Sequence, residues 1–316
     1  MTTTIDRVLR SNLKLKHLQL LMALDQFRHL GQTAQFLSVS QPAVSKTLGE
    51  IERMFDAKLF ARSTKGTEPT STGETVIRFA RRVIAEYEKT RDALQVARDG
   101  STGRISVGAM MVATPVLLAQ ALTRFKQAMP AATVLVEEGD LTRLLPRLRR
   151  GELDLIVGRL EPGYAAPDLH TEALCQEPMC LICTPQHPLA TLKRVGWPLL
   201  QSQRWVMPPP WATSRTKLHQ LFYKNRLNPP TDCVETASLL VTISQLKERL
   251  AIGFVACNVA QHLQAQGLVH ILPVALPMEL PPLGLIRLAE PTPSPTAQQL
   301  STAIREVAIR WPVGST

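Results

Sequence analysis

The feature that most limits the fold is a change of hydrophobic rhythm at Gly100-Ser101-Thr102-Gly103. Upstream, apolar residues recur every three or four positions, as they do along amphipathic helices. Downstream, short apolar runs alternate with helical stretches, the pattern of an α/β sandwich. No all-helical or single-sheet fold accommodates both rhythms. The expected class is therefore α+β and multi-domain, and 316 residues suffice for two or three domains.

Charge follows the same division. The net charge is +10, and the first 66 residues hold ten Lys/Arg against five Asp/Glu. Half of the excess thus lies in about a fifth of the chain, which favours a polyanionic partner for that end. No apolar run reaches the roughly 20 residues of a membrane helix. The opening MTTTIDRVLRSNLKLKH is polar and lacks a signal-peptide core, so a cytoplasmic location is expected.

In the N-terminal part, residues 1–12 read as a flexible leader. A helix follows from Leu15, with Leu18 and Met22 on one face and Leu21, Leu24 and Phe27 widening it. A short second helix spans about 30–37. A third begins at Gln41-Pro42 with Ser40 as N-cap and proline in the first turn. Val44, Leu48, Ile51 and Phe55 form its buried stripe. The opposite face shows Gln41, Pro42, Ser45 and Lys46, then Gly49 and Arg53: short hydrogen-bonding groups followed by cations, suited to base edges and phosphates in a major groove. Residues 58–70 read as a two-stranded wing with Arg62 and Lys65 at its tip. Periodicity alone also allows a three-helix cap with a solvated polar face.

Ser71-Thr72-Gly73-Glu74 fits a capping box and predicts a long helix to about Arg98. Along it, Val76, Ala80, Val83, Tyr87, Thr90, Leu94 and Ala97 alternate in steps of four and three, a heptad seam. A narrow seam on a long helix predicts antiparallel or crossed pairing with a second copy of the chain, the alternative being packing against its own domain.

Beyond Gly103 strands are expected at about 104–108, 133–137, 153–157, 179–184, 204–207, 233–235, 252–255, 268–272 and 284–288. Helices are expected at about 114–129, 141–150, 213–221, 238–249, from 258 and at 296–310. Ligands in such folds sit at the carboxyl ends of strands. Those ends supply Met110, Met111, Thr114, Glu138, Arg159, Pro210, Trp211, Thr213 and Thr236 as candidate effector contacts. Backbone N–H groups at the helix start near Thr114 and the Arg159 guanidinium suit an anion, although Arg159 also suits a surface or inter-lobe salt bridge; Trp211 suits a ring or sugar face, or a hinge or core-packing role after three prolines.

Enzyme chemistry is not expected. The chain has no Gly-x-Ser-x-Gly elbow, phosphate-binding loop, dinucleotide fingerprint or His-Glu-x-x-His, so no cofactor is assigned. The five cysteines are odd in number and read as ordinary core residues rather than a disulfide framework. Cys180-Leu181-Ile182-Cys183 lacks a second ligand pair, and on a strand its two thiols point to opposite faces, so no metal is assigned either.

The segment Ser40-Gln41-Pro42-Ala43-Val44-Ser45-Lys46, followed by Leu48, Ile51-Glu52, Leu59-Phe60, Arg62, Gly66, Thr70 and Gly73, resembles the winged helix-turn-helix of LysR-type transcriptional regulators. His29, Thr33-Ala34 and Pro69 depart from that pattern. Gly103–Gly108, Phe125, Pro130, Gly151–Leu155 and His187-Pro188-Leu189 are similar to the family's two-lobed effector domain, which is periplasmic-binding-protein-like. There Leu250–Phe254 replaces a common Gly-x-Gly. The region 141–153 is most similar to the subgroup regulating galactose-binding-protein or protocatechuate-pathway genes.

The resemblance implies a winged helix-turn-helix at 13–70, a linker and dimerisation helix at 71–99 and an effector domain at 100–316. Lobe I would cover about 103–172 and 274–316, and lobe II about 173–273. It implies base or phosphate contacts from Ser40, Gln41, Pro42, Ser45 and Lys46, and backbone contacts from Thr33, Arg53, Arg62 and Lys65. The implied partners are a two-fold double-stranded operator, the chain itself as dimer or tetramer, a small-molecule effector (a carboxylate, aromatic acid or sugar) and RNA polymerase, with no membrane. The rival reading, a solute-type binding protein without DNA function, would call for a signal peptide and no basic head.

Overall fold

The computed structural model describes residues 13–63, 66–99, 103–290 and 292–311. The leader 1–12 and Lys65 lie outside them, as do the side chains of Arg62 and Ala97. The chain divides into two compact units: residues 1–100 with 149–152, and residues 101–148 with 153–316.

The first unit contains helices α1 (Leu15–Phe27), α2 (Leu30–Phe36) and α3 (Gln41–Phe55), strands β1 (Phe60–Ser63) and β2 (Gly66–Pro69), and helix α4 (Ser71–Asp99). Each helix after the first starts at an identifiable cap. His29 serves α2: its Nδ1 accepts from the Gly31 and Gln32 amides at 3.1 and 3.4 Å, a role more often filled by Ser. Ser40 serves α3 by accepting from the Ala43 amide at 3.4 Å.

The cap of α4 is Thr70 rather than the expected Ser71. Thr70 Oγ1 accepts from the Gly73 amide at 3.0 Å and donates to the Lys58 carbonyl at 2.7 Å, joining helix start to wing start. Gly73 allows this approach, since a Cβ there would stand 1.9 Å from the Leu59 carbonyl oxygen. Leu21, Leu24, Val44, Leu48, Ile51, Leu59, Phe60 and Ile77 form the core. β1 and β2 pair antiparallel from Phe60–Pro69 to Ser63–Gly66, completing the wing.

The expected seam of α4 divides in two. Val76 and Ala80 are buried inside the chain's own unit, and Val83 packs beside Leu18 and Ile84. The apolar face of α1 therefore covers the first turns. Farther along, Tyr87 and Leu94 are 50% and 60% exposed. Among the described seam residues these two offer apolar surface to another chain, while Phe79, off the seam, is 44% exposed.

The second unit has two lobes. In lobe I the sheet order is β4-β3-β5-β12-β6, built from β3 (Arg104–Ala109), β4 (Thr133–Glu138), β5 (Leu155–Arg159), β6 (Leu169–Cys175) and β12 (Leu283–Leu288). In lobe II the order is β11-β7-β10-β8-β9, from β7 (Met179–Cys183), β8 (Trp205–Met207), β9 (Cys233–Glu235), β10 (Ile252–Ala256) and β11 (His270–Ile271). β6 was absent from the sequence expectation. Its alternation is weak and polar because it is an edge strand, and it extends lobe I to Cys175, past the expected boundary at 172.

The helices are α5 (Ala119–Ala128), α6 (Leu141–Arg149), α7 (Trp197–Gln201), α8 (Thr213–Lys224), α9 (Leu239–Arg249), α10 (Cys257–Ala265) and α11 (Pro295–Ile309). α7 also lacked a sequence expectation. The helix expected from Thr114 opens instead as a π-turn over Thr114–Leu118, a distortion frequent at functional sites. Cores lie on both faces of each sheet; Phe125, Leu300 and Ile304 anchor one, Trp205 and Phe222 another.

Candidate DNA-binding face and inter-lobe cleft

Helix α3 separates its faces sharply. Val44, Leu48 and Ile51 are fully or almost fully buried, whereas Gln41, Pro42, Lys46 and Arg53 are exposed and Ser45 is half-buried. Proline at the second helical position leaves the first turn pre-set, so Gln41 projects from a rigid end. The Arg53 Nε donates to the Gly49 carbonyl at 3.2 Å, laying that side chain back along the helix. Ser40 is exposed while holding its cap.

Thr33 requires a correction. It is fully buried, and its hydroxyl donates to the His29 carbonyl at 2.9 Å, so it stabilises α2 and presents nothing to a phosphate.

Glu52 enters the sequence reading only as part of the family pattern, yet it fixes α3 to the wing. Its carboxylate is almost fully buried and accepts from the Leu59 amide at 2.9 Å and the Phe60 amide at 3.3 Å, with Lys58 Nζ at 2.7 Å. A glutamate embedded in an apolar stripe, eight residues before a strand, was the available signal.

In the effector unit, β3, β4 and β5 run parallel in lobe I, and β10, β8 and β9 run parallel in lobe II. The segments that follow their carboxyl ends meet. Thr213, at the start of α8, donates its hydroxyl to Glu161 Oε2, just beyond β5, at 2.8 Å. Val112 packs against core residues of both lobes. Glu161 was missed from sequence because no motif marks it.

Other candidates are placed as follows. Met111, Thr114, Thr213 and Thr236 are half-buried; Glu138 and Pro210 are exposed, and Trp211 is 67% exposed. Thr114 donates its hydroxyl to the Met110 carbonyl. Although Glu138 is exposed as a residue, partial desolvation of its carboxyl raises it above the ordinary 4.5. Met110 turns from the cleft: its side chain fills the space over Gly158, where a Cβ would meet it at 2.5 Å. On the lobe II side Arg215, also missed, donates to the Pro208 carbonyl at 2.9 Å and to Glu235 at 2.8 Å, tying the ends of β8 and β9 together.

Arg159 is 4% exposed and serves the crossovers between lobes. Its guanidinium donates to the Pro281 carbonyl at 2.8 Å and the Glu177 carbonyl at 2.7 Å, one on each connecting segment. Burial pulls its pKa down, and Glu177 and Glu161 oppose that pull. Beside it, the Glu177 carboxylate accepts from the Asn258 amide at 3.0 Å, the Asn258 side chain at 2.6 Å and Trp311 Nε1 at 2.7 Å. One buried carboxylate thus holds the start of α10 in lobe II and Trp311, two residues beyond α11, in lobe I. The expected fork for a ligand carboxylate is here engaged by main-chain oxygens.

The cysteine reading also changes. Cys180 and Cys257 form a disulfide between β7 and the start of α10, while Cys175, Cys183 and Cys233 are free. Antiparallel pairing sets Cys180 opposite Val255, so the turn into α10 brings Cys257 within reach. Cys183 does face the other side of the sheet, in the Trp205 core. Burial pushes the Cys175 and Cys183 thiols up to about 12, leaving them poor nucleophiles.

Two family models match the chain: "Bacterial regulatory helix-turn-helix protein, lysR family" over residues 15–74 and "LysR substrate binding domain" over residues 98–309. The HTH-type transcriptional regulator GbpR of Azospirillum brasilense is 31% identical, covering 94% of this chain and 87% of its own. GalR of Pseudomonas putida is 30% identical over 92% and 73%. PcaQ of Agrobacterium fabrum is 28% identical over 94% and 95%. The LysR family regulator CbnR shares the fold with a TM-score of 0.70 at 18% identity over 94% and 99% of the two chains. Fold, paired domain models and full-length relatives agree that this chain belongs to the LysR family of transcriptional regulators, with a helix-turn-helix DNA-binding domain and a C-terminal effector-binding domain.

Proposed function

We propose that the exposed face of α3, led by Gln41, Pro42, Ser45 and Lys46, reads base edges in a major groove, with Ser40 and Arg53 beside the phosphates. The observation that carries this reading is the division of α3: a stripe locked in the core, and opposite it an exposed face on which the hydrogen-bonding and cationic side chains Gln41, Lys46 and Arg53 accompany only the small apolar Pro42 and Ala43. Arg62 and Lys65 belong to the same reading as wing contacts. The chain binds a two-fold site as a dimer, joined through the distal part of α4 around Tyr87 and Leu94. It acts in the cytoplasm and catalyses no reaction.

The effector is a small polar molecule, a sugar, an aromatic acid or another small carboxylate, held at the strand ends among Met111, Thr114, Glu138, Pro210, Trp211, Thr213 and Thr236. The Thr213–Glu161 bond is the contact such a molecule would compete with or reinforce. Ligand binding would then bias the angle between lobes, and through the dimer the spacing or bend imposed on DNA. A solute-binding protein would have no use for the basic helical unit.

Thermal-shift titration of the full chain with sugars and aromatic acids tests the effector half of the proposal. A saturable rise in melting temperature, weakened at least tenfold in Thr213→Val and accompanied by altered operator affinity, is expected. A ligand that raises the melting temperature equally in wild type and Thr213→Val would overturn the placement.

A further inference from the structure

Lobe I carries a cavity away from the strand ends at which the effector is proposed to bind. Its volume is about 310 Å³, and it lies between α11 and the face of β6 and β12. β12 enters from the crossover at Leu283, and the cavity gathers around Arg287, four residues on. At about 3.3 Å per strand residue that is roughly 13 Å farther from the crossover.

Its composition departs from what a helix–sheet interface requires. α11 packs Ala297, Leu300, Ile304 and Val307 into the core. The adjoining stripe, which includes Ser301 and Arg305, also faces the sheet, across the cavity. On the sheet side, β6 and β12 pair Arg287 with His170 and Leu285 with Glu172. The floor is apolar, from Leu155 and Leu285, and the walls are charged.

The charges do not cancel. Arg305 engages Glu172 through two bonds, Nε at 2.7 Å and Nη2 at 2.9 Å, which satisfies that carboxylate. Arg287 makes no ion pair among the described residues and remains as a surplus cation. Its recorded hydrogen bond is from Nη1 to the Leu288 carbonyl at 3.0 Å, and a guanidinium has five donors. His170 stands directly opposite. The Arg305, His170 and Arg287 charges all act to hold Glu172 ionised. A further carboxylate or phosphate would meet Arg287 as a forked donor, with an apolar floor beneath its body.

We infer that this cavity is a second small-molecule site, taking a small organic oxyanion, a carboxylate or phosphate ester, on Arg287 with His170 at its side. Its walls include the helix that leads to Trp311, whose indole donates to Glu177 at the lobe crossover. An occupant would fasten α11 to the sheet edge, independently of the inter-lobe effector.

The test uses the full-length chain with inorganic phosphate and with succinate, each against chloride at matched ionic strength, read by hydrogen exchange. Saturable slowing is expected together in β6, β12 and α11, within the millimolar range. Phosphate alone acting would assign the phosphate class, succinate alone the carboxylate class, and both a general oxyanion site. Arg287→Gln should weaken the effect at least tenfold and His170→Asn about threefold, with Arg194→Gln as an exposed control that changes nothing. Absence of slowing with both probes, slowing that persists undiminished in Arg287→Gln and His170→Asn, or slowing confined to the strand ends at the cleft would each overturn the inference. The last result would leave the inter-lobe reading intact.

Discussion

Replacing Glu52 with alanine should loosen the DNA-binding unit out of proportion to one surface-like charge. The wild-type carboxylate accepts from two buried amides, Leu59 at 2.9 Å and Phe60 at 3.3 Å. A buried N–H left without a partner costs about 1–3 kcal/mol, so the two together amount to about 2–4 kcal/mol, the longer bond contributing less. The Lys58 pair adds little, because that lysine is 82% exposed and its attraction is screened. All four tryptophans lie beyond residue 190, so tryptophan fluorescence is blind to this unit. Amide exchange is the suitable assay. If opening becomes easier by about 2–4 kcal/mol, exchange at Leu59 and Phe60 should accelerate by roughly 30- to 1000-fold. Glu52→Gln keeps an acceptor oxygen and should show a much smaller effect. Acceleration below threefold in Glu52→Ala, or equal damage from Gln and Ala, would refute the assignment.

Gly73→Ala places a methyl 1.9 Å from the Leu59 carbonyl and should lower the melting temperature of the same unit by several degrees, read by exchange or circular dichroism. Burial holds the His187 and His219 rings below the ordinary 6.5, so the native effector unit keeps them neutral while the unfolded chain protonates them near that value. Their stabilisation is therefore complete above pH 6.5 and is lost as pH falls through the folded values. The urea midpoint by tryptophan fluorescence should be flat from pH 8 to 7 and decline below about 6.5, less steeply in His187→Gln. Opening the Cys180–Cys257 bond releases a loop with a sequence separation of 77, worth at most about 4–5 kcal/mol in the chain-entropy model. Dithiothreitol should lower that midpoint in wild type and leave Cys180→Ser/Cys257→Ser unchanged.

Much of this architecture was legible because local and global signals agree. The α3 stripe, its Ser40 cap and its proline all specify one helix in one orientation, and the structure adds only burial values. The alternation after Gly103 was readable because β3, β5 and β10 are buried runs between amphipathic helices. What escaped was set by partners distant in sequence. Thr70 replaced Ser71 as cap because the Lys58 carbonyl lies within reach of its hydroxyl. Thr33 is buried by the folding of α2, which composition does not reveal. Arg159 is engaged by carbonyls 18 and 122 residues away. The Cys180–Cys257 bond depends on the register of β7 against β10, and no spacing rule encodes it. Candidate effector residues were found by topology, whereas Glu161 and Arg215 became visible only once the lobes were in place.

The account stands most directly on whether α3 reads sequence. Fluorescence anisotropy on the DNA upstream of the protein's own gene, against a scrambled duplex, separates specific from non-specific binding across a salt series. Gln41→Ala should cut the specific affinity by roughly 5- to 150-fold, equivalent to about 1–3 kcal/mol for a base contact, and leave the scrambled duplex unaffected. Lys46→Ala should weaken both and reduce the salt slope by about one. Equal affinity of the wild-type chain for both duplexes, or an unaltered specificity ratio in Gln41→Ala, Ser45→Ala and Lys46→Ala alike, would contradict it.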